Sequence, residues 1–180
     1  MDYQRRALTA ADLSLDPSTG AVAVATHGRR RLGAPTRWGT GGAARLTMTL
    51  AGLTNNAARM GQSADFGAVF CEWVEFWLTT RFALAPTADK ALELWWAASP
   101  DGVGWPGGVS GADGAFTAAN KSQLLLVGVL TTLASATSQS QLVGSIRLPS
   151  RWGAPVLLNA SGQTLSATAA DHLLEAYPVQ

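Results

Sequence analysis

Four short apolar runs, QLLLVGVLTT, SQLVGSIRLP, APVLLNA and DHLLEAYPV, follow one another across residues 123–179, separated by spacers rich in Ser, Thr and Gly. Recurrence of strand-like runs every 8–12 residues, with turn signals between them, leaves little room for helices and points to a sandwich or barrel. The same grammar continues upstream. KALELWWAA, at residues 90–98, ends in Ser-Pro-Asp-Gly, where Pro100 presets φ and Gly102 tolerates a positive φ in a tight turn. Leu46, Met48 and Leu50 alternate with Arg45, Thr47 and Thr49, the two-residue period of a half-buried strand, and Asn55 and Asn56 then mark a turn. Residues 69–82 are dense in Val, Phe and Trp and read as a strand with Val74, Phe76 and Leu78 on one face and Trp73, Glu75 and Trp77 on the other. Both faces are mostly apolar, as expected where a strand is covered on each side. Residues 101–114 hold six of the 19 glycines and read as a long loop carrying Trp105. The expected fold is therefore all-β: seven or eight antiparallel strands in a jelly-roll-like sandwich over residues 43–180, preceded by an extended N-terminal arm over residues 1–42.

A chain of 180 residues supports one such domain plus an arm. Charged residues make up 14% of it, against roughly 25% in an average soluble protein, so the surface repels its neighbours weakly. No stretch approaches the roughly 20 apolar residues that span a bilayer, and the first sixteen residues lack a signal-peptide core. The expectation is a protein made in the cytoplasm, with no membrane partner. The net charge of +1 conceals an asymmetry: residues 1–59 carry eight Arg and three Asp, whereas residues 60–180 carry five basic and nine acidic side chains. Arg29, Arg30, Arg31 and Arg37 lie in a Gly-, Ala-, Thr- and Pro-rich setting, where guanidinium groups seek carboxylates or phosphates. We read them as anchors to a protein partner rather than as a nucleic-acid arm. Cys71 is the single cysteine and, inside an apolar run, reads as a buried thiol.

Catalytic and metal signatures are not expected, and no cofactor is implied. Asp101 and Asp113 lack the fixed oxygen-ligand spacing of a calcium loop and read as turn formers. Glu75 and Glu93 could meet across adjacent strands as a glycosidase pair, but no His or Arg near them in sequence would orient them. Seven tryptophans are a heavy load for this length. Trp supplies large apolar area with one N–H to satisfy, which suits cores and interfaces. Adjacent Trp95 and Trp96 must point to opposite sides of their strand, so one is core and the other faces outward. Trp38, Trp96 and Trp105 complete the expected partner-binding set.

Residues 92–179, with the Ser-Pro-Asp-Gly turn, the Gly-rich loop and the closing Asn-Ala-Ser-Gly-Gln-Thr-Leu-Ser-Ala-Thr hairpin, resemble small virion proteins of tailed bacteriophages. The shared features are turn grammar rather than chemistry, so no active-site residues carry over. The resemblance implies a non-enzymatic capsid decoration or cement protein on the virion surface, binding the major capsid protein and sister copies. The alternative is a glycan- or receptor-binding module of a tail or head fibre, with Trp105 as a stacking platform.

Overall fold

The computed structural model describes residues 13–15, 22–24, 31–42, 44–67, 72–87 and 90–179. Two compact units divide at Arg30/Arg31. In the first, β1 (Leu13–Leu15) and β2 (Val22–Val24) pair as an antiparallel hairpin with Ser14 opposite Ala23. The second carries β3 (Thr36–Gly39), β4 (Leu46–Thr47), β5 (Ala58–Met60), β6 (Ala64–Asp65), β7 (Trp73–Thr80) and β8 (Ala91–Ser99). It continues through β9 (Gly114–Phe116), β10 (Leu125–Thr131), β11 (Gln139–Arg147), β12 (Trp152–Ala160) and β13 (Leu173–Val179).

These strands form two sheets. One runs β10-β8-β12-β5-β9, with β6 also paired to β12, and the other runs β11-β7-β13-β3-β4. Pairing is nested: β3 with β13, β5 with β12, β7 with β11 and β8 with β10, so the chain rolls up from its ends inward. Those eight strands, four in each sheet, make a jelly roll of two Greek keys, and the all-β sandwich read from the sequence is the observed fold. The parallel β3–β4 contact is the one departure from antiparallel pairing among the described residues.

The second unit starts at Arg31 rather than at Ala43, because β3 lies inside the sheet against β13 and Arg31 bridges Val179. No periodicity marks this strand in the sequence, since β3 is only four residues long. Between residues 69 and 82 the regular strand covers Trp73–Thr80, with the expected faces; residues 69–71, including Cys71, lie outside the described residues. The alternation after Arg45 also holds, since Met48 and Leu50 are fully buried, although only Leu46 and Thr47 are paired.

Between the sheets lies the main core. Val74, Phe76 and Leu78 of β7 face Leu92, Leu94 and Trp96 of β8, with Trp38, Met48, Leu157 and Leu174 among them. Burying each such side chain contributes roughly 1.5–3 kcal/mol. Trp96 is the hub: Trp38, Phe66 and Phe76 pack edge-on or tilted against it at 5.2–6.2 Å. Its ring lies over Gly153, where any Cβ would overlap it, so the register of β12 depends on that glycine.

A second apolar cluster covers the outside of the six-stranded sheet. Val109, Phe116 and Leu124 pack onto Ala97, Ala154, Val156 and Leu158, which is why β12 is buried on both faces. The Gly-rich loop is therefore a cover rather than a projection. It contains a short 3-10 turn at Pro106–Gly108, a second follows β9 at Ala118–Gln123, and Gly107, at φ 67°, sits close to the Asn120 carbonyl and to Leu124.

Candidate interaction surface

The basic residues expected to anchor a partner divide in two. Arg29 and Arg30 lie outside the described residues. Arg31 and Arg37 are held by their own β13: the Arg31 guanidinium lies 3.7 Å over the Tyr177 ring, and Arg37 Nε donates to Glu175 Oε1 at 2.8 Å. That hydrogen bond from Arg37 to the carboxylate raises the guanidinium pKa above its ordinary value. Register explains the pair, because Arg37 and Glu175 are directly opposed across β3 and β13.

Trp38 and Trp96 were expected at a partner surface, and the structure corrects both. Each is fully buried between the sheets, and Trp38 Nε1 donates to the Gln62 carbonyl at 2.7 Å. Of the neighbouring pair it is Trp95 that points outward. Its Nε1 donates to Glu93 at 2.9 Å, Lys121 Nζ reaches the same carboxylate oxygen at 2.7 Å, and the Lys121 ammonium lies 5.4 Å from the Trp95 ring. Trp105 is half-buried against the second cluster, with Gly111 so close to its indole that a Cβ there would lie 2.9 Å from Nε1. Part of the ring that a sugar would stack on is thus already in contact with the chain itself.

Glu75 on β7 and Glu93 on β8 belong to different sheets and alternate with core residues, so they point away from opposite sides of the sandwich and cannot flank one sugar. Asp101 Oδ1 accepts from Ser99 Oγ and from the amides of Val103 and Gly104, an arrangement that closes its own turn. Asp113 accepts two hydrogen bonds from Arg59, at 2.6 and 2.7 Å, and two from Thr49. Burial pushes the Asp113 carboxyl up, but these hydrogen bonds together outweigh it and the net direction is down. Among the described residues no group of three or more His, Cys, Asp or Glu could hold a metal ion.

His172 is buried. Its Nε2 donates to the Ser166 carbonyl at 2.9 Å, which leaves Nδ1 to accept from Thr80 Oγ1 at 2.9 Å. Burial lowers its pKa below 6.5 and so favours the neutral ring.

What the sequence reading missed is the corner where β10 and β11, the end strands of the two sheets, come together. No ladder pairs them, yet their backbones touch: a Cβ on Gly128 would overlap the Val143 carbonyl, and one on Gly144 would overlap the Val127 carbonyl. Both strands shift register at these glycines, between Leu126 and Gly128 and between Leu142 and Gly144. The Gln139 side chain ties the connection by bonding both the amide and the carbonyl of Leu133. Along this seam Leu125, Leu126, Val129, Leu133 and Leu142 are 43–60% exposed. The sequence signal was available: residues 122–146 contain no charged side chain at all.

No protein-family model matches the sequence, and no curated protein is similar to it.

Proposed function

We propose that this protein is a non-enzymatic structural component of a tailed-bacteriophage virion, a decoration or cement protein seated on the capsid through contacts with the major capsid protein and with sister copies. The observation that carries the proposal is the bare seam of β10 and β11. Freely diffusing β proteins shield their end strands with Lys, Pro or covering loops. This one instead leaves five large apolar side chains in the open on a stretch, residues 122–146, that itself carries no charge, a surface suited to permanent contact with other polypeptides. The nested jelly-roll pairing, an architecture used by viral capsid domains, supports the same reading, as does the resemblance of residues 92–179 to tailed-phage virion proteins. The glycan-binding alternative loses ground because Trp105 packs under its own loop.

Mass spectrometry of purified particles tests the proposal, together with rebinding of recombinant protein to particles stripped of it. The chain is expected in fixed ratio to the major capsid protein and should saturate the stripped shells. Absence from particles would overturn the reading, and tight binding of the isolated chain to a glycan array would favour the alternative.

A further inference from the structure

We propose that the turn over residues 166–171, between β12 and β13, is an acid-responsive latch that lifts from the end of the sandwich when His172 takes up a proton. The latch needs no partner and works whether or not the chain sits in a virion. Ser166 is the knot of this end. Its amide donates to the Arg81 carbonyl, and its own carbonyl accepts from both the Gly52 amide and His172 Nε2, each at 2.9 Å. Ser166 Oγ donates to Asp171 Oδ2 at 2.6 Å and accepts from the Thr168 amide at 3.2 Å. The neighbouring Leu165 and its bridge partner Phe82 are buried in the main core, so the segment caps it. The His172 ring ties this cap to Thr80 at the end of β7.

The ring is set up to be neutral. His172 and Thr80 are both buried, and with Nε2 donating to Ser166, Nδ1 accepts from Thr80 Oγ1. A proton on Nδ1 turns that acceptor into a donor, forces the hydroxyl hydrogen of Thr80 to turn away, and places a charge out of reach of water. The surrounding charges compensate little. Asp171 favours the charged ring, but it is already bonded by Ser166 Oγ and lies 3.8 Å from Arg81. From β7 come the neutral Thr80 and then Arg81, a like charge for an imidazolium. From β3 comes Gly39, close to the His172 carbonyl, while Arg37 and Glu175 bond each other on the outward side of β3 and β13. Burial outweighs Asp171 and holds the ring below 6.5.

The turn is the part that can yield. Thr80 belongs to β7, which is laddered to β11 on one side and β13 on the other. Ala167, Thr168 and Ala170 of the turn are exposed. A charged ring therefore gains water by lifting the turn rather than by parting the sheet.

Native-state amide hydrogen exchange of the full chain, at about pH 7.5 and about pH 5.5 and scaled for the intrinsic exchange rates, tests the latch alongside an NMR titration of the His172 ring. The Gly52 and Ser166 amides should exchange faster than amides of the β8–β12 ladder and be insensitive to low urea, as a local opening requires. Lowering the pH should cut their protection at least about threefold, and His172→Gln should remove that fall. In the wild type the ring should titrate below 6.5, with the Thr168 amide signal shifting in step, a readout that needs no variant to fold. A ring that titrates at or above 6.5, Gly52 and Ser166 amides that open only together with the ladder, or a fall in protection that persists in His172→Gln would each overturn the proposal.

Discussion

The two sheets of this protein meet at two corners that are closed in opposite ways. At one, Thr49, Arg59 and Asp113 share four hydrogen bonds, and the Gln62 amide reaches the Thr47 carbonyl at 2.8 Å. At the other, β10 and β11 approach so closely that only glycine fits, and apolar side chains stand outside. The first corner satisfies its polar groups internally and presents little that another protein would need. The second is closed by tight backbone packing, with Gln139 tied to Leu133, and leaves apolar side chains exposed. Both corners thus contribute to stability, and the second also exposes apolar surface.

The largest expected effect comes from disturbing the shape-held corner itself. Gly128→Val would drive a branched side chain into the Val143 carbonyl, which is backbone and cannot swing aside, so a loss of about 3 kcal/mol or more in chemical denaturation is expected. A loss below about 1 kcal/mol would mean that the two strands are less closely joined than described. Next comes the polar corner. Asp113→Ala leaves the partly buried Arg59 guanidinium without its carboxylate and should cost about 2 kcal/mol, read by the same measurement.

Acid should separate the corners further. The folded pKa of Asp113 lies below the ordinary carboxylate value, so its contribution is complete above that value and is lost as pH falls through it. His172 acts earlier. Its folded pKa is lowered, so the unfolded chain takes up the proton first, and stability declines as pH drops below about 6.5. Melting temperature followed from neutral to acid pH should show the His172 loss first and abolish it in His172→Gln. The uncharged seam contributes to neither step. A smaller effect is expected at the exposed ion pair on β3: Arg37→Ala should cost less than about 1 kcal/mol by denaturation. The smallest belongs to the seam surface, where Leu142→Ser should change folding stability by no more than about 0.5 kcal/mol.

Much of this architecture was legible in the sequence, and the gaps have physical causes. Strands β7, β8, β10, β11, β12 and β13 announced themselves because each is long enough for a period of two or a continuous apolar run to show. Strand β3 did not, since four residues between glycine-rich neighbours carry no period. Alternation told that Trp95 and Trp96 face opposite ways, but not which side is the core, because that depends on which face of the sheet meets the other sheet. The partner of Arg37 lies 138 residues away, a distance that no local pattern spans. Loop 101–114 looked too irregular to pack, yet Val109 is buried without any period at all, held by glycines that let the backbone lie close against the sheet. The seam was visible as an uncharged stretch, but its meaning required knowing that β10 and β11 end their respective sheets.

Amide hydrogen exchange of the full chain, followed as protein concentration rises, tests the division between the two corners most directly. Amides of Leu125–Thr131 and Gln139–Arg147 should become better protected with concentration, while the Thr49 amide, bonded to Asp113, should exchange at a constant rate. Seam amides whose exchange does not depend on concentration, or protection rising instead at Thr49, would contradict the account.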